Sequence, residues 1–263
     1  MAVDLNPLLA DLVAESDDLV GLLVRMTPDQ WRLPTPAAGW SIADQVSHLA
    51  YFDDATLLSL VDPDRFRREA TELTADGDDF PDRVAARYRD LDGARLLDWF
   101  LTSRKSLVDG YAAGDPLRRL PWYGPDMGVA SSITARLMET WAHGQDVADT
   151  LGVRRTPSHR LRHVAYIGIR ALPYSFRVHG RPVPAQPIRV ELTGPDGETW
   201  QWGPRAAADR VTGTALDFCL VVTQRRHVDD TGLVVSGVTA RSWIAIAQAF
   251  AGPAGPGRER GFT

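Results

Sequence analysis

The sequence predicts an α+β protein in which an N-terminal four-helix bundle is followed by a small α+β C-terminal domain. Three observations carry that expectation. Apolar residues recur at helical spacing in four long stretches before residue 154, and the texture after Arg155 changes to short alternating runs. Charge divides with the texture: residues 1–150 hold 26 acidic and 14 basic side chains, residues 151–263 hold 8 and 15, so a formal net charge of -5 conceals halves of -12 and +7. Domains of 1–154 and 155–263 follow, and a 263-residue chain that is 44% hydrophobic can bury cores for both without staples.

In the first part, Leu8, Leu9, Leu12, Val13, Leu19, Leu22 and Leu23 predict a helix over about 5–25, ended by the turn TPDQW. After Pro and Gly punctuation, Ser41 followed three residues later by Asp44 reads as a capping box with Asp in place of Glu. It opens a second helix over about 41–61 that stops before Pro63. The acidic connector DPDRFRREATELTADGDDFP shows some helical pattern, and periodicity carried through Gly93 predicts one long third helix over about 82–113. DPLRRLPWYGPDMG reads as an irregular loop, and VASSITARLMETWAHGQDVADTLGV as a fourth helix stopped by Gly152. Four such helices in this length imply a bundle.

In the second part, SHRLRHVAYIGIRALPYSF reads as one helix, and QPIRVELTGPDGETWQWGP as two strands joined by a Pro-Asp-Gly turn. DRVTGTALDFCLVVTQRR reads as a strand and a helix, GLVVSG as a strand, and TARSWIAIAQAF as a last helix. Segregated strands and helices of this kind make a small α+β domain.

Composition removes several chemistries. A single cysteine, Cys219, in an apolar helix excludes an internal disulfide framework and a Cys-rich zinc module, and suits a reducing cytoplasm as a buried, inert thiol. No basic and apolar leader is seen and no apolar run approaches membrane-spanning length, so a cytoplasmic protein without a membrane segment is expected. Arginine outnumbers lysine 28 to 1, a sign of a GC-rich genome, which leaves Lys105 alone for Schiff-base chemistry. The acidic first half and the lack of aromatic-interleaved basic patches argue against nucleic acid, while halves of opposite sign suit docked domains and a small anionic ligand.

Within METWAHGQDVADTLG and the residues before it, Ser132, Arg136, Glu139, His143, Asp146 and Thr150 share one narrow sector of the fourth helix, broadly opposite Ile133, Leu137, Trp141, Ala148 and Leu151. Periodicity alone favours a solvated stripe on an amphipathic helix. The alternative is that Glu139 and His143 are metal ligands completed by a histidine from elsewhere. His48, near the edge of the second helix's apolar face, is either that ligand or a satisfied structural histidine. Three protein ligands would leave one coordination position open, as in catalytic zinc sites.

GWSIADQVSHL followed by ARLMETWAHGQDVADTLG resembles the metal-binding N-terminal bundle of the mycothiol-dependent maleylpyruvate isomerase family, within the DinB-like superfamily. The resemblance extends more weakly over the whole chain, because that family also appends a small α+β domain. It implies a divalent metal, zinc or another, held by His48, Glu139 and His143, with mycothiol as thiol cosubstrate. The implied chemistry is a metal-activated thiolate adding to a small, electrophilic and possibly anionic substrate, as in cis to trans isomerisation of maleylpyruvate or in thiol S-transfer, with no redox cofactor. A metal-dependent hydrolase and a non-catalytic small-ligand-binding protein with a structural metal are the competing readings, and a monomer or homodimer is expected.

Three further groups are candidates, and one histidine pair is not. Asp146, three residues past His143 on the same face, is placed to orient an imidazole. Arg225 and Arg226 follow the helix of the basic domain and suit a substrate or cosubstrate carboxylate; the resemblance puts a functional arginine in this region without saying which. Trp122 and Tyr123, in the loop before the fourth helix, either wall the metal or plug the end of the bundle. His159 and His163 stand at i and i+4 but lack a carboxylate companion in their own helix.

Overall fold

Alternation of leucine pairs along the first helix, α1 (Asn6–Leu23), buries Leu9, Leu12, Leu19 and Leu23 in the computed structural model, which describes residues 4–261. The chain divides into two compact units, Met1–Arg154 and Arg155–Thr263.

In the first unit a short 3-10 turn at Pro28–Arg32 leads to α2 (Ile42–Val61), which opens as read from sequence: the Ser41 side chain accepts from the Asp44 backbone N–H, and Asp44 accepts from the Ser41 backbone N–H at 2.8 Å. Then follow α3 (Pro63–Thr74), α4 (Phe80–Arg87), α5 (Gly93–Ala113), a two-stranded antiparallel ladder of β1 (Arg119–Leu120) and β2 (Met127–Gly128), and α6 (Val129–Leu151). The long helices α1, α2, α5 and α6 pack on one another, α2 against α5 and α6, α1 against α6 and α5. Leu19, Leu23, Trp31, Ile42, Val46, Leu49, Leu96, Phe100 and Val147 form their shared core. α6 ends at Gly152, whose φ of +65° lets its N–H reach back to the last carbonyls.

Several expectations need correction here. The long third helix is two, α4 and α5, broken over 88–92. Asp92 caps α5 by accepting from Arg95 N–H at 2.9 Å, and Gly93 lies so close to Trp31 that a Cβ would overlap the indole. The acidic connector is mostly the helix α3, begun by the very Pro63 that ends α2, with Asp62 as its cap and Phe66 as its buried anchor. The loop after α5 holds the β1–β2 ladder.

The second unit begins with α7 (Leu161–Arg170) and α8 (Leu172–Val178), where one helix was expected; Pro173 sits in the first turn of α8 and cannot donate to the helix before it. A four-stranded sheet follows, built from β3 (Ile188–Thr193), β4 (Thr199–Trp202), β5 (Asp209–Thr214) and β6 (Val234–Ser236) in the order β4-β3-β5-β6. β3 and β5 are parallel and the other pairs antiparallel, with Val190, Leu192 and Val211 buried. α9 (Ala215–Val222) packs on α7, where Gly168 has no room for a Cβ beside Val222. The last helix, α10 (Val238–Ile244), is shorter than its sequence pattern suggests, and Ile246, Ala247 and Ala249 are buried in turns beyond it. No helix among the described residues is long and apolar enough to cross a membrane.

Candidate metal centre

The polar stripe on α6 is not solvated: Ser132, Arg136, His143 and Asp146 are all buried, and α2 and α5 supply polar partners for the first three, Tyr111 for Ser132, Asp53 for Arg136 and Gln45 for His143. Where α6 meets α2, His48 joins Glu139 and His143, and one ligand atom from each lies within 4.8 Å of the other two. Glu139 Oε2 is 3.1 Å from His143 Nε2 and 3.8 Å from His48 Nε2. The imidazole centroids are 4.5 Å apart. One turn of helix brings Glu139 and His143 onto one face, while His48 arrives only through tertiary packing. The three side chains keep exposures of 12%, 20% and 11% in chain order, so the group is enclosed but reachable.

The electrostatics favour ligating forms. Burial, and then the neighbouring His143, lower the His48 pKa from 6.5 to about 4, which leaves a neutral imidazole at pH 7. Burial pushes the Glu139 carboxyl up, but its contacts with His143 and His48 outweigh that and hold it well below the usual range. Two imidazoles and a carboxylate are a donor set for a divalent transition metal. His48 Nδ1 is also a buried nitrogen without a hydrogen-bond partner among the described residues. The residues fit a metal held by three protein ligands.

Three surrounding features were missed by sequence reasoning. Gln45, on α2, contacts His143 Nδ1 through Oε1. Trp40 stacks over His143 at 5.9 Å between centroids and tilts against His48 at 5.2 Å, its indole N–H donating to Asp82 at 2.6 Å. Asp53, fully buried near the middle of α2, accepts from Arg104 Nε at 2.7 Å and Arg136 Nε at 3.0 Å, tying α2 to α5 and α6. The only signal in the sequence was the presence of charged residues at helix positions that otherwise face the core.

The remaining candidates fall in different places. Asp146 is fully buried one turn beyond His143, whose ring nitrogens contact Gln45 and Glu139. Trp122 and Tyr123 join Phe52, Phe66 and Phe80 in an aromatic cluster, with Trp122 stacked on Phe66 at 5.8 Å. Their link to the centre runs through Phe52, whose ring is 4.6 Å from that of His48. In the second unit, Arg225 follows α9 and donates to Thr223 O at 2.6 Å, and Arg226 donates to Arg225 O at 2.8 Å. Arg226 also lines a cavity with His227, Arg258 and Arg260. Cys219 is buried, and burial pushes its thiol well above the usual range, as an inert core cysteine requires.

Residues 12–148 match the family model described as the mycothiol maleylpyruvate isomerase N-terminal domain, and residues 184–235 match one described as wyosine base formation. Uncharacterised proteins from two strains of Mycobacterium tuberculosis are 48% identical over 256 residues, which is 97% of this chain and 99% of theirs. Solved structures of the mycothiol-dependent maleylpyruvate isomerase and of a histidine-to-alanine mutant of it align over 90% of this chain and 95% of theirs. Their TM-scores are 0.62 and 0.61 at 14% identity, a likeness of fold. The unit that carries the histidine and glutamate cluster is thus the matched one, over more than half of the chain, and the protein belongs to the mycothiol maleylpyruvate isomerase N-terminal domain family.

Proposed function

We propose that the chain is a metal-dependent, mycothiol-using enzyme of the cytoplasm that joins a thiol to a small electrophile, acting as an isomerase or an S-transferase. The observation that carries this reading is the convergence of His48, Glu139 and His143. These three side chains would hold the metal, for which zinc is the proposed identity, and a set of three protein ligands would leave room for a thiol. A zinc ion bound there supplies Lewis acidity, which keeps a thiol as its thiolate at neutral pH. The buried His48 stays neutral and the carboxylate stays charged, so neither ligand is lost to a proton near pH 7. Trp40 and Phe52 border the two imidazoles and keep water from that side of the centre.

For isomerisation, the thiolate adds to one carbon of a cis double bond, rotation follows about the resulting single bond, and the thiolate leaves to give the trans product. If the adduct instead takes up a proton from water at the neighbouring carbon, it is retained as a thioether and the outcome is S-transfer. Arg225 and Arg226 are proposed to carry the positive charge that an anionic substrate needs, and Asp146 to support the ligand-bearing face of α6. Trp122 and Tyr123 are proposed to back Phe52 against His48.

The test is to incubate zinc-loaded protein with mycothiol and a panel of electrophiles that includes maleylpyruvate, following both trans product and loss of free thiol. Turnover that disappears in His48→Ala and His143→Ala is expected. Zinc-loaded protein that neither isomerises maleylpyruvate nor consumes thiol with any member of the panel would sink the proposal.

A further inference from the structure

We propose that Gln45 is a positioning residue that places the proton of His143 on Nδ1, so that Nε2 is the nitrogen offered to the metal. This rests on the metal reading above and adds a residue that the ligand set does not contain. The orientation of the Gln45 amide follows from its neighbours. The Thr35 hydroxyl donates to Trp40 O at 2.8 Å, so its oxygen is left to accept. The Gln45 Nε2 group, 2.8 Å away, must therefore be the donor to Thr35. That turns Gln45 Oε1, an acceptor only, towards His143 Nδ1, which must then carry a hydrogen.

The opposite ring nitrogen completes the reasoning. With its hydrogen on Nδ1, neutral His143 presents a lone pair on Nε2, and that lone pair faces Glu139 Oε2 at 3.1 Å. Two acceptors at that distance repel unless a cation or a proton lies between them. The other tautomer would set the Nδ1 lone pair against Gln45 Oε1, or require the amide to turn over and lose Thr35. Gln45 is completely buried, so water cannot take over either contact. Gln145 has no part in this, since its amide donates to Asp149 at 2.8 Å along α6. Partners of this kind fix the ring and the tautomer of a metal-binding histidine, and their loss typically weakens metal binding about 10–100-fold.

The experiment measures zinc affinity by competition with a chromophoric chelator in the parent, Gln45→Leu, Gln45→Glu and Thr35→Val. Histidine ¹⁵N spectra of the zinc-loaded parent are recorded alongside. The expected result is Nδ1–H with zinc on Nε2 of His143. Gln45→Leu should bind zinc about 10–100-fold more weakly, and Gln45→Glu, which keeps an acceptor, should bind close to the parent. Thr35→Val leaves Gln45 in place, should fold if Gln45→Leu does not, and should weaken zinc binding in the same direction by freeing the amide to rotate. Spectra with zinc on Nδ1, or parent-like affinity in both Gln45→Leu and Thr35→Val, would overturn the role of Gln45 while leaving the metal site intact. A parent that binds no zinc would overturn the metal reading itself, and the role of Gln45 with it.

Discussion

Replacing Asp53 with asparagine removes a carboxylate shared by two buried guanidiniums. Asp53 is fully buried, and the Arg104 and Arg136 side chains keep only 6% and 4% exposure. Arg104 Nε and Nη2 reach the two carboxylate oxygens at 2.7 and 3.2 Å, and Arg136 Nε shares one of them at 3.0 Å. A unit charge pair about 4 Å apart at an effective dielectric of about 20 is worth about 4 kcal/mol. Asp53 makes two such pairs, set against the cost of desolvating it. Removing one partner of a buried pair leaves the others uncompensated, which typically costs about 3–5 kcal/mol. The asparagine amide would keep the shape and one acceptor oxygen, so about 3 kcal/mol is expected for Asp53→Asn, a large share of the roughly 5–15 kcal/mol that holds a domain together. Urea unfolding followed by backbone ellipticity measures it, and with a slope of about 2 kcal/mol per molar the midpoint should fall by about 1.5 M. A loss below about 1 kcal/mol would mean that the network is solvated, and would refute the reasoning.

Other outcomes follow from single sites. Gly93→Ala, which in most helices would stabilise by a few tenths of a kcal/mol or more, should destabilise by about 1–3 kcal/mol because the new methyl overlaps Trp31; a raised melting temperature would contradict this. Metal-free protein should lose stability as pH falls from about 6.5 to about 4, because the unfolded chain protonates His48 at its ordinary pKa while the folded chain resists until about 4. That contribution is fully present above pH 6.5, falls by about 1.4 kcal/mol per unit within the window, and should be missing in His48→Gln. Cys219 should react with a disulfide reagent only as the protein unfolds; stoichiometric labelling in native buffer would show that the thiol is accessible.

What could be read from sequence was local. Ser41 and Asp44 announce the start of α2, Gly152 the end of α6, and Pro-Asp-Gly the turn between β3 and β4, because each depends on a few adjacent residues. The break before Gly93 was hidden, since its cause is an indole 62 residues earlier in the chain. The same divide runs through the candidate site. Glu139 and His143 show in their spacing, and the resemblance pointed to His48. Gln45 and Trp40 act across elements, and no pattern within a single helix reveals them. Asp53, Arg104 and Arg136 look like ordinary charged residues until the fold buries them together.

The most direct measurement is the metal content of purified protein after equilibrium dialysis against zinc, compared with His48→Ala, Glu139→Ala and His143→Ala, with folding verified by circular dichroism. A single three-ligand site predicts about one ion per parent chain and almost none in each folded variant. A parent without bound metal, or variants that retain it fully, would contradict a metal centre built from His48, Glu139 and His143.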